Sequence, residues 1–226
     1  MIRNILFDAY GTLISTGNGS VKATAEILKA KGSSLDATAV YAEWKKLHRN
    51  HMSELTEYML EEKVFLKDLE TLYKLYGLNG NVREDIQPML ASLYQREPFE
   101  DTIPALTELQ KEYSLAIASN TDTAPLLDVL HRSDLPIETV FTSEMLRAYK
   151  PEKAFYEKVL KTLEWKAEET VYVGDSPLED VVGPKGIGMK TVLLDRKERY
   201  GETAEADAVI KTLLELKDCL KEMREA

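Results

Sequence analysis

Residues 4–13 read Asn-Ile-Leu-Phe-Asp-Ala-Tyr-Gly-Thr-Leu, an apolar run that stops at Asp8 and continues into a turn around Gly11. A short apolar run followed by a charge and a glycine is typical of a strand, and we predict a strand over Asn4–Phe7. This strand needs parallel neighbours, and comparable runs occur only after residue 113. The stretch between them must therefore leave the sheet and return to it.

The second half of the chain alternates short β-rich runs with helical ones, which indicates βα units and a parallel sheet. Five further strands are predicted, over Leu115–Ser119, Thr139–Thr142, Thr170–Val173, Thr191–Leu194 and Ala208–Ile210. Helices are predicted over Pro104–Glu112, Ala124–His131, Pro151–Leu163, Pro177–Lys185 and Leu213–Arg224. The predicted fold class is α/β, with a Rossmann-like core built on a parallel sheet.

The region from about residue 15 to residue 95 lacks this alternation. Its apolar residues recur at helical spacing, with Gly32, Gly77 and Gly80 as plausible terminators. Four helices are predicted, over Val21–Lys31, Ala37–Met59, Glu61–Tyr76 and Val82–Tyr94. Two domains follow: a discontinuous α/β core over residues 1–14 and 97–226, and an inserted all-helical cap over residues 15–96.

Composition limits the classes of function. Among 226 residues, 29 lysines and arginines stand against 39 aspartates and glutamates, a net charge of -10, which disfavours nonspecific binding to nucleic acid or anionic membrane. Cys219 is the single cysteine, so neither an intrachain disulfide nor a zinc-thiolate cluster can form. The first apolar stretch is too short for a secretory signal, and no run approaches a membrane span. We expect a cytoplasmic protein with a small-molecule substrate, as a monomer or weak dimer.

Polar residues cluster where the predicted strands end. Asp8 ends the first strand, Ser119 and Asn120 end the next, Lys150 follows the third, and Asp175 ends the fourth. In a doubly wound sheet, ligands bind beyond the carboxyl ends of the strands. The pattern therefore gathers carboxylates, a hydroxyl and an ammonium around one point.

That set, in that order, resembles the four motifs of the haloacid dehalogenase (HAD) superfamily: a nucleophilic Asp followed by Gly-Thr, a Ser or Thr, a Lys, and a paired acidic motif. The resemblance spans the whole chain, because the insert falls where the family places its first type of cap. It implies a hydrolase in which Asp8 attacks the substrate and Thr12 belongs to the catalytic set. It further implies that Ser119 and the Asn120 backbone hold anionic oxygens, while Lys150 neutralises charge.

The acidic motif implies a magnesium ion as cofactor, since Mg²⁺ prefers oxygen ligands and usually takes one or two carboxylates. Asp8 and Asp175 would supply the carboxylates, and the resemblance implies the backbone carbonyl of Tyr10 as a further ligand. Asp180 and Ser176 are expected to support the site. For Asp180 three interpretations stay open: positioning of Lys150, positioning of metal-bound water, or an ordinary place in the first turn of a helix.

The stretch Ser176-Pro177-Leu178-Glu179 also has the pattern of a capping box with proline at the first helical position. We therefore expect Glu179 to be a helix cap.

Position 10 departs from the phosphatase pattern. Most phosphatases of the superfamily have a second aspartate there as general acid and base, whereas Tyr10 resembles the 2-haloacid dehalogenase branch. Halide leaves without a proton, while an alkoxide leaving from phosphate needs one. Tyr156 also matches a tyrosine of the dehalogenase pattern, although a core aromatic is the commoner meaning of such a residue.

Two departures count against dehalogenation. Dehalogenases have Ser-Ser-Asn where this sequence has Asp175-Ser176-Pro177, and they work without metal. Lys45 stands where their cap arginine is expected, and lysine does not replace planar recognition. We therefore favour a magnesium-dependent phosphatase of small phosphorylated metabolites over a metal-independent 2-haloacid dehalogenase. A third alternative is a non-catalytic protein that binds a phosphorylated ligand or has a regulatory role.

Two histidines lie three residues apart on one face of a predicted cap helix. His48 and His51 could replace the missing acid. Exposed histidines without such a role are the interpretation that we favour.

Overall fold

The structure, a computed structural model, describes residues 1–200 and 205–225. The chain divides into two compact units. Unit 1 comprises Met1–Ser15, Glu97–Thr123 and Leu130–Ala226, and unit 2 comprises Thr16–Arg96 and Ala124–Val129. Among the described residues, none of the helices has the length and apolar character that a membrane crossing requires.

Eight strands occur along the described chain: β1 (Asn4–Phe7), β2 (Ile14–Ser15), β3 (Glu97–Pro98), β4 (Ser114–Ser119), β5 (Val140–Thr142), β6 (Thr170–Gly174), β7 (Lys190–Leu194) and β8 (Ala208–Ile210). Six of them form one sheet in the order β5-β4-β1-β6-β7-β8, with parallel pairing throughout, while β2 and β3 form a separate antiparallel pair. The predicted α/β class and parallel sheet are confirmed.

The order of the strands determines where a ligand can bind. The chain winds from β1 outward to β5 on one side and then resumes with β6 on the other side of β1. The topological switch point therefore lies at β1, and the crevice of such a sheet opens at the carboxyl ends of its strands.

Eleven α-helices lie along the described chain: α1 (Gly19–Ala30), α2 (Ala37–Ser53), α3 (Glu61–Tyr76), α4 (Val82–Asp85), α5 (Gln87–Leu93), α6 (Thr102–Leu109), α7 (Thr123–Arg132), α8 (Ser143–Leu146), α9 (Lys153–Leu163), α10 (Gly183–Lys185) and α11 (Leu216–Glu225). Residues Ala167–Glu169 and Leu213–Glu215 form 3-10 turns, and Pro177–Val182 form a π-helical turn.

The core of unit 1 lies against the central strand. Ile5, Leu6 and Phe7 have no exposed surface, which fits a strand that is covered on both faces. Leu6 belongs to a buried cluster that includes Phe155 and Tyr156 of α9. Each such side chain stabilises the fold by about 1.5–3 kcal/mol through burial, and β1 therefore holds the residue that follows it in a rigid frame.

Unit 2 contains the helices α1–α5. Their buried faces form one apolar cluster: Ala23, Ile27, Leu28, Val40, Trp44, Leu69, Leu72, Tyr73, Ile86 and Met89. Helix α3 ends at Gly77, which adopts a left-handed conformation with φ of 64° while the N–H of Leu78 donates to the Tyr73 carbonyl. This is the glycine termination that the sequence predicts.

Two predicted helices of unit 2 have the wrong extent. The helix predicted to reach Met59 ends at Ser53, where the backbone passes from the bond of the Glu54 N–H to the Asn50 carbonyl into the tighter bond of the Leu55 N–H to the Met52 carbonyl. The segment predicted as one helix over Val82–Tyr94 consists of α4 and α5, because Pro88 has no N–H to continue the ladder. The helix predicted over Pro177–Lys185 is a π-helical turn followed by the short α10, and the predicted last helix begins with a 3-10 turn. The other predicted elements differ from the observed ones by a few residues at their ends.

Candidate active site

The predicted site residues of three strands come together at the carboxyl ends of the strands in the sheet of unit 1. Phe7 pairs with Ile117 on β4 and with Val173 on β6. Asp8, which follows β1, and Ser119, the last residue of β4, consequently lie at the same end of the sheet. The Asp8 N–H still donates to the Val173 carbonyl at 2.9 Å, so the side chain starts from a fixed backbone.

Three donors surround the Asp8 carboxylate, which is 5% exposed. The Ser119 hydroxyl donates to Oδ1 at 3.0 Å and the Thr12 hydroxyl donates to Oδ2 at 3.2 Å. The Lys150 ammonium lies 2.8 Å from Oδ1. These contacts fix the orientation of both oxygens of the carboxylate.

Lys150 connects the two acidic parts of the site. Its Nζ donates to Asp8 Oδ1, to Asp180 Oδ1 at 2.7 Å and to the Tyr172 hydroxyl at 3.1 Å. Burial opposes the charge of this amine, but the carboxylates of Asp180 and Asp8 outweigh burial and raise the pKa of Lys150 well above its ordinary value. The ammonium therefore stays charged at neutral pH.

Asn120 has a contact that the sequence did not indicate. Its side-chain oxygen accepts the Lys150 backbone N–H at 2.8 Å, and its amide nitrogen donates to the Lys150 carbonyl at 3.1 Å. This pair of bonds holds the backbone at Lys150 beside the end of β4. The expected contact of the Asn120 backbone with substrate stays a prediction.

Tyr172 is a site residue that sequence reasoning missed. It is buried on β6, its hydroxyl donates to the Ala118 carbonyl, and that same hydroxyl accepts from Lys150. Burial raises the pKa of Tyr172 well above its ordinary value, with Lys150 acting in the opposite direction. A tyrosine inside a β-rich run looks like ordinary core, so no signal in the sequence distinguishes it.

The acidic loop after β6 corrects the expected capping box. The Ser176 side chain caps no N–H of the π-helical turn Pro177–Val182. The carboxylate that accepts the Ser176 backbone N–H is that of Asp180, at 2.8 Å, rather than that of Glu179. The wider π-helical turn places Asp180 over the N-terminus, where its second oxygen faces Lys150. The contacts of Asp180 agree both with the positioning of Lys150 and with an ordinary place in the first helical turn, and its functional role stays a prediction.

Two glycines leave room for the acidic side chains. Gly11 has φ of 98°, a left-handed conformation, and a Cβ at this position would lie 2.6 Å from an oxygen of Asp175. A Cβ on Gly174 would overlap the carboxyl group of Asp180. Glycine is therefore required at both positions for the carboxylates to approach the backbone so closely.

The donors of the site fit a magnesium ion. Asp8, Asp175 and Asp180 each offer one oxygen, and these oxygens lie within 4.8 Å of one another. Mg²⁺ usually takes one or two carboxylates, and the three aspartates offer that number. The choice of Asp8 and Asp175 as the ligands stays a prediction. Burial and the charge of Asp8 raise the pKa of Asp175, and Arg199 opposes this shift. A bound cation would offset the same repulsion.

Tyr10 lies in the turn that follows Asp8. This turn is closed by the Gly11 N–H, which donates to the Ile14 carbonyl at 2.8 Å, and residue 10 forms an isolated bridge with Ile14. The carbonyl of Tyr10 as a metal ligand stays a prediction. Tyr156, the other dehalogenase-like tyrosine, is fully buried and its hydroxyl donates to the Glu179 carbonyl, as a core aromatic does.

A second polar network of unit 1 lies on the loop after β7, and sequence reasoning missed it. Asp195 is buried and accepts the N–H groups of Arg199 and Tyr200 at 2.9 and 2.8 Å. Nη2 of Arg199 lies 3.2 Å from Asp175 Oδ2. The partners are 24 residues apart in the chain, so no local pattern reveals them.

The same loop also contacts the segment after Asp8. The Arg196 guanidinium donates two hydrogen bonds to Asp101, at 2.8 and 2.9 Å, and one to the Thr12 carbonyl at 2.9 Å. The Arg196 side chain also covers the Phe99 ring at 4.0 Å. This bidentate pair fixes the backbone beside Thr12, whose hydroxyl contacts Asp8.

The histidines of unit 2 are not exposed, and that expectation was wrong. Nδ1 of His51 lies 2.6 Å from Asp68 Oδ1, and Nδ1 of His48 lies 2.7 Å from Oδ2, which also accepts from Trp44 at 3.2 Å. We call these four residues the Asp68 cluster. Burial lowers the pKa of His48, but Asp68 and Glu61 outweigh burial and raise it to about 9. A role for either histidine as an acid stays a prediction.

The amino-acid sequence matches one family model and is similar to known phosphatases. A family model described as haloacid dehalogenase-like hydrolase matches residues 2–188. The chain is 37% identical over 133 residues to a glyceraldehyde 3-phosphate phosphatase of Methanocaldococcus jannaschii, covering 56% of this chain and 58% of that one. It is 34% identical over 110 residues to a ribulose-1,5-bisphosphate 5-phosphatase of Halopiger xanaduensis, covering 47% and 46%. These matches span about half the length of either relative.

Solved structures share the fold over nearly the whole chain. The HAD-hydrolase YfnB of Bacillus subtilis, solved with magnesium, aligns with a TM-score of 0.84 at 21% identity, covering 97% of this chain and 99% of that one. The defluorinating L-2-haloacid dehalogenase Rha0230 aligns with a TM-score of 0.82 at 21% identity, covering 97% and 95%. At these identities the likeness concerns the fold alone.

Proposed function

Because the chain belongs to the haloacid dehalogenase-like hydrolase family, we propose that it is a magnesium-dependent phosphatase of small phosphorylated metabolites with Asp8 as nucleophile. The observation that carries the proposal is the group of three carboxylates whose oxygens lie within 4.8 Å, with Lys150 bonded to two of them. A metal-independent dehalogenase would gain nothing from the repulsion that this acidic group creates. The similarity to two sugar-phosphate phosphatases further supports the proposal.

Asp8 and Asp175, with the Tyr10 carbonyl, would hold the magnesium ion. When bound, the ion supplies positive charge that compensates the oxygens of the transferred phosphoryl group. Lys150 adds a fixed charge on the other side of Asp8, since its ammonium contacts Oδ1. Asp180 keeps that ammonium in place through its own contact at 2.7 Å.

The reaction would proceed in two displacements. An Asp8 oxygen attacks the phosphorus atom, and the bond from phosphorus to the leaving oxygen breaks as the aspartyl phosphate forms. Water then attacks that intermediate, which releases phosphate and restores the carboxylate. Ser119 and the Asn120 backbone would hold the phosphoryl oxygens, while Thr12 keeps Asp8 oriented.

Tyr10 determines which leaving groups the enzyme would accept. An unperturbed tyrosine has a pKa near 10, so it replaces the usual aspartate poorly as a proton donor and acceptor at neutral pH. Such a phosphatase should favour phosphate esters whose leaving group needs no proton, such as aryl or acyl phosphates.

A 2-haloacid dehalogenase is the second candidate function, and Tyr10 is the observation that favours it. Displacement of halide requires a carboxylate nucleophile but no proton for the leaving group. The acidic pair Asp175 and Asp180 argues against it.

The proposal also covers the organisation and setting of the protein. Unit 1 would be the catalytic core and unit 2 the helical cap, in a cytoplasmic protein that is a monomer or weak dimer. A net charge of -10 supports a small-molecule substrate rather than nucleic acid or an anionic membrane as partner.

One paired assay tests the proposal. Hydrolysis of 4-nitrophenyl phosphate is measured with added magnesium and with EDTA, and chloride release from 2-chloropropionate is measured under both conditions, with Asp8→Asn as the control variant. We expect phosphate release only with magnesium and no chloride release. Chloride release in EDTA would instead establish the dehalogenase. Binding of magnesium and a phosphate mimic without turnover of any substrate would establish the non-catalytic alternative.

A further inference from the structure

We infer that Arg199 is an exchangeable counter-ion of the metal site, which lowers the affinity of the site for magnesium and raises its affinity for an anionic substrate. The inference rests on the proposed metal site at Asp8 and Asp175. It assigns a role to a residue outside the four sequence motifs.

Contacts with Asp195 and Lys211 fix the loop that carries Arg199. Asp195, which follows β7 and is 2% exposed, accepts the backbone N–H groups of Arg199 and Tyr200. Lys211 pairs with Glu198 on the outer side of the same loop at 2.8 Å. These contacts hold the backbone of the loop, so the guanidinium reaches Asp175 from a defined starting point.

The charges of the site explain why a counter-ion is needed there. The carboxylates of Asp8, Asp175 and Asp180 exceed the one ammonium of Lys150, whose contacts are to Asp8 and Asp180. Asp175 is left to Arg199, whose Nη2 lies 3.2 Å away. The guanidinium therefore balances the carboxylate that Lys150 does not contact.

A cation beside a metal ligand must weaken the binding of another cation. Mg²⁺ at Asp175 would repel the guanidinium and share its carboxylate, so part of the Arg199 interaction is lost when the metal binds. The Arg199 side chain is 45% exposed, and solvent screening keeps the effect modest. We expect a change of about threefold in magnesium affinity.

The Arg199 guanidinium has further N–H groups that can donate to an anion. Of its five N–H groups, one is engaged by Asp175, and among the described residues the only other contact of the side chain is the ring of Tyr200 at 4.8 Å. Once metal has compensated Asp175, this planar fork is free to bind a phosphoryl or carboxylate group. Arg199 thereby links metal binding to substrate binding.

The test measures binding rather than turnover. Isothermal titration with Mg²⁺, and with inorganic phosphate in saturating Mg²⁺, is run on the wild type and on Arg199→Met, Arg199→Lys and Lys197→Met. Arg199→Met should bind magnesium about threefold more tightly and phosphate about threefold more weakly. Arg199→Lys keeps the charge but not the planar fork, so it should stay within twofold of the wild type for magnesium and bind phosphate more weakly. Lys197→Met is the matched control, since Lys197 is exposed on the same loop and its replacement changes net charge equally.

The outcomes separate the inference from the proposed function. Weaker or unchanged magnesium binding in Arg199→Met would overturn the inference, because Arg199 would then orient Asp175 or have no effect. An equal change in Lys197→Met would overturn it also, since a general charge effect would account for the result. A wild type that binds no magnesium would overturn the proposed metal-dependent function together with the inference.

Discussion

Each unit of the molecule contains buried carboxylate, but the two clusters are balanced differently. In unit 2, both oxygens of Asp68 are occupied by His48, His51 and the indole of Trp44. In unit 1, Asp8 and Asp180 share the Lys150 ammonium, and Asp175 pairs with the half-exposed Arg199. The charge of Asp68 is compensated within its own cluster, whereas the three carboxylates of unit 1 outnumber the one ammonium and one guanidinium that contact them.

The two clusters therefore contribute to different properties, the Asp68 cluster to stability and the carboxylates of unit 1 to activity. Removing a partner from a saturated buried ion pair leaves uncompensated charge and costs folding energy. Removing one carboxylate from a crowded acidic site relieves repulsion, so stability is kept. Activity is lost for a different reason, because the carboxylate itself is needed for the reaction. Substitution of aspartate by asparagine should therefore have opposite consequences in the two units.

The largest effect is expected from Asp8→Asn. The amide is a poor nucleophile, so kcat/KM for 4-nitrophenyl phosphate should fall by about 10³-fold or more. The free energy of unfolding, measured in urea, should be unchanged or higher than that of the wild type. Retention of more than about a tenth of the activity would break the assignment of Asp8.

Asp68→Asn should act on stability instead. We expect it to lower the free energy of unfolding by about 3 kcal/mol, because the amide would leave the charge of His48 without the Asp68 carboxylate. Trp44 fluorescence in a Trp165→Phe background reports on unit 2 during urea unfolding. Glu70→Gln is the control, since Glu70 is exposed on the same helix. Equal stability of the two variants would show that the contacts of the Asp68 cluster do not stabilise the fold.

The pH dependence of stability sharpens the comparison. The folded pKa of His48, about 9, lies above the ordinary value of 6.5, so its contribution is fully present below about pH 6.5 and is lost as pH rises through 9. The wild type should lose about 1–3 kcal/mol over this range. His48→Gln should flatten the profile measured by urea unfolding, while the exposed His131→Gln should not. A profile unaltered by His48→Gln would contradict the assignment.

The smallest effect concerns Tyr10. Replacement by aspartate supplies the missing proton donor, which matters for alkyl leaving groups and little for aryl ones. Tyr10→Asp should therefore raise the ratio of alkyl to aryl phosphate hydrolysis by about tenfold, measured as kcat/KM for one substrate of each kind. Equal acceleration of both substrates would refute the preference.

Much of the fold could be predicted because local patterns of residues in the sequence indicate its strands and helices. The alternation of β-rich and helical runs indicates a parallel sheet, and the observed sheet has that form. The errors arose where the backbone departs from a regular helix at one position: Pro88 divides a predicted helix, and another ends in a tighter turn at Leu55. Periodicity averages over such positions and therefore passes over them.

The site was predictable in part. Asp8, Ser119, Lys150 and Asp175 follow strands in the sequence, and parallel pairing brings strand ends together. The role of Asn120 in holding the Lys150 backbone was not predictable, because a side chain that bonds to a distant backbone leaves no periodic trace.

The amino-acid sequence by itself determined the order of strands and helices and the positions of the polar residues at strand ends, because these follow from short-range sterics and burial. Only the tertiary structure decided which charges neutralise one another. Asp180 contacts Lys150 across 30 residues, Arg199 contacts Asp175 across 24, and Asp68 contacts His48 across 20. Electrostatic energy depends on distance and on exclusion of water, and folding sets both by bringing distant parts of the chain together.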